Sequence, residues 1–371
     1  MNWRVGLIVN TLAGVGGPTA LRGSDGVVAQ ALALGAVPRA AARAAEALSV
    51  LHELGPRLTL ITGSGSLGAD AARAAGWSSE VVYRTSVPIS AEDTAALARR
   101  LVLMQVDLLM FAGGDGTARD VAESVGDAFP VLGIPAGVKM YSGAFATTPT
   151  AAGTLAVRYL RSHQRRTRQC EVMDLDENDL RRDRIEPSLF GYVASPEDPR
   201  LLQGKKVRSL AGDTVQMQSI AASVVESMDP QGIYLIGPGS TTWAVKQTLQ
   251  GQASMLGVDA YAGGKLVLQD ATAAALMELT RNGRPAHALV TCIGGQGHIF
   301  GRGNQQFSPE LVCRIGRRRV SVLATPAKLI SLAGRPFIAD LDDAAAAAEM
   351  TGHVEVISGY KSKAFYRCEA F

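Results

Sequence analysis

A five-residue apolar run, Leu108 to Ala112, stops at Gly113-Gly114-Asp115-Gly116-Thr117, and Val121, Ala122 and Val125 follow at helical spacing. An apolar pentad bounded by glycines reads as a strand covered on both faces. A helix starting straight from its carboxyl end turns unbonded N–H groups and the positive dipole end towards whatever lies beyond the strand. Gly113, Gly114 and Gly116 carry no Cβ, so a phosphate can approach the backbone closely. Asp115 would then sit beside a polyanion, which is unfavourable unless its charge is used. It can accept the proton of an attacking hydroxyl, or hold Mg²⁺ together with phosphates. The plainer alternative is a tight turn whose aspartate caps the next helix.

The same order recurs along the first half of the chain. Val5 to Val9 reads as a strand leading into Asn10-Thr-Leu-Ala-Gly14-Val-Gly16-Gly17. There Gly14 and Gly16 can wrap a phosphate and Asn10 can bond a nucleotide, although a plain turn fits as well. Arg57 to Ile61 and Val81 to Tyr83 read as further strands, and Ser90-Ala-Glu-Asp93 as a capping box. Pro130 to Ile134 is the strand after the central one. It leads past Lys139, an ammonium suited to face phosphate, into a helix from about Ser142 to Arg161, bent near Pro149. Strand–turn–helix alternation predicts a doubly wound parallel sheet over residues 1–163. In such sheets ligands sit beyond the carboxyl ends of the strands, near the switch point.

From Gln164 the texture turns charged, which marks a second domain over 164–335, mixed α/β or β-rich. A closing segment, 336–371, is expected to pack back on the first domain. Asp176 and Glu177 lie in the charged stretch, where acids can meet a metal or substrate hydroxyls, or simply form a solvated loop laced with ion pairs. A strand over 231–236 runs into Gly237-Pro-Gly239-Ser240-Thr241-Thr242, whose hydroxyls can cap a helix or donate to phosphate oxygens. Gly257-Val-Asp259-Ala-Tyr261 reads as a substrate loop with Asp259 exposed. The stretch Gly294-Gly-Gln-Gly-His-Ile-Phe-Gly-Arg-Gly-Asn304 reads as a close approach of backbone to ligand.

Composition narrows the function classes. The 371 residues predict two domains, and 47% hydrophobic with 19% charged residues suits large cores. A net charge of +3 is too small to argue for nucleic acid or an anionic membrane surface. Cys170, Cys292, Cys313 and Cys368 lie far apart, without metal or redox spacing, and fit buried reduced thiols of a cytoplasmic protein. No signal-peptide pattern and no apolar run of membrane-spanning length is present in the sequence.

These motifs together resemble the ATP-NAD kinase superfamily, to which diacylglycerol and sphingosine kinases also belong. The resemblance rests on Gly113-Gly-Asp-Gly-Thr117 after a buried strand, on Asn10…Gly14-Val-Gly16, and on Gly237-Pro-Gly-Ser-Thr-Thr242. A nearer likeness is to the AcoX-type branch associated with acetoin catabolism. It is carried by Thr62-Gly-Ser-Gly…Gly68, Ile134-Pro-Ala-Gly-Val-Lys-Met140, Leu256-Gly-Val-Asp-Ala-Tyr261 and Gly294-Gly-Gln-Gly-His-Ile-Phe-Gly-Arg-Gly-Asn-Gln305. The resemblance implies phosphoryl transfer from ATP, with Mg²⁺, to a hydroxyl of NAD, or of a small polyol or acetoin-related metabolite. A non-catalytic sensor of NAD or ATP is the reading from a different class. Asp115 would match the catalytic carboxylate, and Gly113, Gly114, Gly116 and Thr117 the phosphate loop. The nearest counterpart of the family's Asn-Glu pair is Asp176-Glu177. Small-molecule nucleotides and a second copy of the chain are the partners expected, with neither nucleic acid nor membrane.

Overall fold

The computed structural model describes residues 2–21, 26–85, 89–138, 140–174, 188–198, 201–202, 213–249 and 251–371. They fall into two compact units. Unit 1 takes the described residues of 2–15, 26–174 and 188–202, and unit 2 those of 16–21 and 213–371.

In unit 1 five strands form a parallel sheet: β1 (Trp3–Val9), β2 (Leu58–Gly63), β3 (Ser79–Tyr83), β4 (Leu108–Gly113) and β5 (Val131–Pro135). The spatial order is β3-β2-β1-β4-β5, so the chain builds outwards from β1 in one direction and then in the other. The reversal lies between β1 and β4, paired from Val5 with Leu108 to Val9 with Ala112. Every residue of β4 is buried, as an unbroken apolar run requires. Helices α1 (Val28–Ala33), α2 (Ala40–Val50), α3 (Ala69–Ala74), α4 (Ala91–Leu103), α5 (Asp115–Val125) and α6 (Pro149–Arg161) connect and cover the sheet. Small residues set the α2–α6 contact: Ala40, Ala44 and Ala47 are buried, and a Cβ on Gly153 would overlap the carbonyl of Ala47.

The helix expected from Ser142 starts instead at Pro149. Proline cannot supply an interior N–H, so it takes the first helical position, and Thr148 caps it by accepting from Ala151 N at 2.9 Å. The residues before it form a turn at 143–144 and two isolated bridges, Phe145 with Gly133 and Ala146 with Leu202. The predicted box at Ser90 forms, with Ser90 Oγ accepting from Asp93 N and Ser90 N donating to Asp93 at 2.8 Å. Hydroxyl bonds from Thr85 and then Ser90 hold Asp93 far below the usual carboxylate range. A depressed folded pKa adds stability that is present above the unfolded value, near 3.9, and lost as pH falls further. The Tm gap between wild type and Asp93→Asn is therefore expected to be full near pH 7 and to shrink below about pH 4. A gap independent of pH would show that the ionised carboxylate contributes nothing.

The described part of 164–202, charged and expected in the second domain, lies in unit 1 as an antiparallel pair, β6 (Thr167–Asp174) and β7 (Ser188–Pro196). Unit 2 opens with α7 (Asp213–Glu226). It then builds a mixed sheet from β8 (Ile233–Ile236), β9 (Asp259–Ala262), β10 (Lys265–Leu268), β11 (Ala286–Val290), β12 (His298–Phe300), β13 (Val320–Leu323), β14 (Phe337–Ala339), β15 (Gly352–Gly359) and β16 (Ser362–Ala370). Its order is β10-β9-β8-β11-β13-β15-β16-β14-β12. Neighbours β8, β11, β13 and β15 run parallel, so their carboxyl ends share one edge. Helices α8 (Ser240–Thr248), α9 (Ala273–Leu279), α10 (Pro309–Ile315), α11 (Pro326–Ser331) and α12 (Ala344–Met350) lie between strands in sequence. The closing segment 336–371 thus completes the unit 2 sheet with β14, β15 and β16. All four cysteines are free; three are buried as expected, whereas Cys313 is exposed on α10.

Candidate active site

In unit 1 the glycine turn follows directly from β4. Gly114 is the N-cap of α5, in extended conformation, and Asp115 is the first helical residue. Asp115 is 7% exposed and does not cap its own helix. Its carboxylate reaches across to the segment after β5, accepting from Tyr141 N at 2.7 Å and Ser142 N at 3.0 Å. Burial first, and the Asp115 charge second, push the Tyr141 phenol well above its ordinary range. Gly116 is exposed, with open space where a Cβ would stand. Gly113 is packed on the Thr117 side chain with no room for a Cβ, and at Gly114 a Cβ would press on the Gly137 backbone at 3.3 Å.

Asn10, at the end of β1, bridges the switch point. Its N–H bonds the carbonyl of Ala112 at 2.9 Å and its Nδ2 donates to Thr117 Oγ1 at 3.0 Å. Its Oδ1 accepts from Leu12 N, an Asx turn that fixes the side chain. Thr117 is 3% exposed, and its hydroxyl serves Asn10. Gly14 has φ +77°, and a Cβ there would overlap the carbonyl of Ala136. Gly14→Ala is expected to lose at least ~1–2 kcal/mol from the left-handed backbone alone, read by urea unfolding. Wild-type stability in that variant would show that the turn relaxes freely.

The structure brings together Asn10, Gly14, Gly113, Gly114, Asp115, Gly116 and Thr117 in unit 1. Gly16 belongs to unit 2, where its carbonyl accepts from the Thr19 hydroxyl and Leu21 N. Lys139, Asp176 and Glu177 lie outside the described residues.

In unit 2 the turn after β8 is shaped by Gly239, at φ +128°, where a Cβ would overlap the Thr291 side chain. Gly237 N donates to the carbonyl of Leu289, and Gly239 caps α8 without a side-chain cap bond. Thr241 and Thr242 are fully buried. The Thr242 hydroxyl turns back to the Gly239 carbonyl at 2.9 Å, and Thr241 Oγ1 accepts from Lys328 Nζ at 2.9 Å, leaving Ser240 partly exposed. The same ammonium donates to Thr291 Oγ1 at 3.0 Å. Burial lowers the Lys328 pKa. Beside it, burial pushes the Cys292 thiol up to about 11, so this cysteine is no thiolate at neutral pH. No sequence motif announces Lys328; the available signal was Thr325-Pro326, which starts a helix straight from the end of β13.

Two unit 2 residues depart from expectation. Asp259 is fully buried rather than exposed. It pairs with Lys246 Nζ at 2.8 Å and accepts from Ser254 N and Asp270 N. An ionised group this deep must be paired and bonded, so Asp259 organises the loop and is not presented to a ligand. Asn304 is 5% exposed and its Nδ2 donates to the carbonyl of Ile299, bracing its own loop from within.

The family description "ATP-NAD kinase N-terminal domain" matches residues 5–164, and "ATP-NAD kinase C-terminal domain" matches residues 231–368. The chain belongs to the ATP-NAD kinase-like superfamily. Both matches support a phosphotransferase of that superfamily. No curated protein matches the chain. A solved structure described as a conserved domain protein from Vibrio cholerae O1 biovar El Tor is 9% identical, with coverage of 97% of this chain and 81% of that one. Its TM-score is 0.21. Among the described residues no helix is long and apolar enough to cross a membrane, and no group of three or more His, Cys, Asp or Glu is arranged to hold a metal.

Proposed function

We propose that this superfamily member is an ATP-dependent kinase that phosphorylates a hydroxyl of NAD. The observation that carries the reading is the turn at the β1/β4 switch point. There Gly116 is open to solvent and the buried Asp115 and Asn10–Thr117 pairs hold the backbone around it. A triphosphate laid on this turn meets peptide N–H groups and the positive end of α5. The bond between the γ-phosphorus and its bridging oxygen breaks, a bond to the acceptor oxygen forms, and ADP leaves. Asp115, beside the open Gly116 peptide, takes the acceptor's proton. Positioning and charge neutralisation supply most of the acceleration.

In unit 1 the described site residues supply one carboxylate, Asp115, so a divalent ion would be held mainly by the phosphates it arrives with. When bound, Mg²⁺ would neutralise charge developing on the transferred group. The test is direct: purified protein with ATP, Mg²⁺ and NAD is expected to yield NADP and ADP in equal amounts. ATP consumed with a small diol but not with NAD would move the assignment to a polyol or acetoin-related acceptor, the AcoX-like reading. Binding of NAD or ATP with no consumption under any acceptor would make the protein a nucleotide sensor.

A further inference from the structure

Two lysines of unit 2, Lys246 buried and Lys328 half-buried, are paired very differently. Lys246 meets Asp259 and the carbonyls of Ser254 and Gly257, so its charge is neutralised and its three protons are accepted. Lys328 donates only to the neutral hydroxyls of Thr241 and Thr291 among the described residues. Each of those hydroxyls, by accepting from the ammonium, must aim its own proton elsewhere. Neither has a bonded acceptor among the described residues, and the third ammonium proton has none either. Three donors and one positive charge therefore converge at the edge where β8, β11 and β13 end, with no carboxylate bonded to the ammonium among the described residues. Lys328 is half-buried and the Asp213 charge acts on it from beyond bonding distance, so an anion can still reach the ammonium and both hydroxyls. The turn packed against Thr291, from Gly237 to Thr242, also opens α8, a nine-residue helix with no side-chain cap.

We propose that Lys328, Thr241 and Thr291 form a phosphate seat in unit 2, which takes one phosphate group of a phosphorylated ligand. The inference rests on the phosphate-facing reading of residues 237–242 and adds the cation that reading lacked. The seat is an oxyanion binder: each donor meets one oxygen of a tetrahedral phosphate, and the ammonium supplies the countercharge.

Inorganic pyrophosphate is the probe, titrated into the full-length protein by calorimetry and thermal shift against chloride at equal ionic strength. Wild type is expected to bind it and to gain Tm by mass action. Lys328→Met is expected to weaken binding by roughly tenfold or more, the effect of losing a charge-assisted bond, and Thr291→Val by a few fold. Circular dichroism checks each fold. If Lys328→Met does not fold, Thr291→Val and the wild-type titration decide. Pyrophosphate no better than chloride on wild type, or undiminished binding in the folded variants, overturns the seat. Failure of the kinase reading is separable. Full turnover in Asp115→Asn with pyrophosphate binding lost in Lys328→Met leaves the seat standing and removes the role of Asp115; the reverse pair of results overturns the seat alone.

Discussion

Asp115→Asn is expected to lower phosphoryl-transfer turnover by about 10²–10⁴-fold, the span usual for loss of a positioned general base. The structure adds a second consequence. The native carboxylate accepts from both Tyr141 N and Ser142 N. An asparagine presents one oxygen and one NH₂, so one of these amides would face a donor. Leaving a buried N–H unsatisfied costs about 1–3 kcal/mol. The variant should therefore lose stability as well as turnover, and the two must be read apart: turnover by NADP formation well below the variant's Tm, stability by urea unfolding. Lost stability with turnover intact would reduce Asp115 to a latch between two loops. Lost turnover with unchanged stability would show that the latch is dispensable.

Lys246→Met is expected to be the most destabilising single change in unit 2, by about 3–5 kcal/mol, because it leaves the Asp259 charge uncompensated at zero exposure. Adding Asp259→Leu should recover part of that loss and no more. The second change removes the orphaned charge, but it also deprives Ser254 N and Asp270 N of their acceptor. Urea unfolding of the single and double variants measures both steps. A single-variant loss below about 1 kcal/mol, the range of a surface pair, would contradict a paired buried charge.

What could be read from the sequence was local. The β4–turn–α5 unit was legible because five apolar residues, three glycines and a helical spacing are contiguous, and the Ser90–Asp93 box because its partners stand three apart. Features resting on distant partners were not. Asp259 reads as a polar residue in a glycine-containing loop; its partner Lys246 comes thirteen positions earlier, on the far side of a turn, and nothing local reveals the pairing. That Asp115 accepts from residues 141 and 142 cannot be read from its own turn, because it depends on β5 lying beside β4. Lys328 was invisible as a site residue for the same reason: it meets Thr241 and Thr291 because β8, β11 and β13 run parallel and end on one edge. Pro149 starts α6 rather than bending a longer helix, since a proline after a threonine begins a helix more readily than it bends one.

The inward orientation of residues 115 and 117 leaves the rim after β4 showing visitors chiefly bare peptide at Gly116. Peptide groups grip any polyanion of suitable size and are indifferent to what it is attached to. Discrimination between one phosphorylated compound and another must therefore be exercised elsewhere along the chain, and swapping side chains at this rim should change how tightly, rather than which, molecules are held.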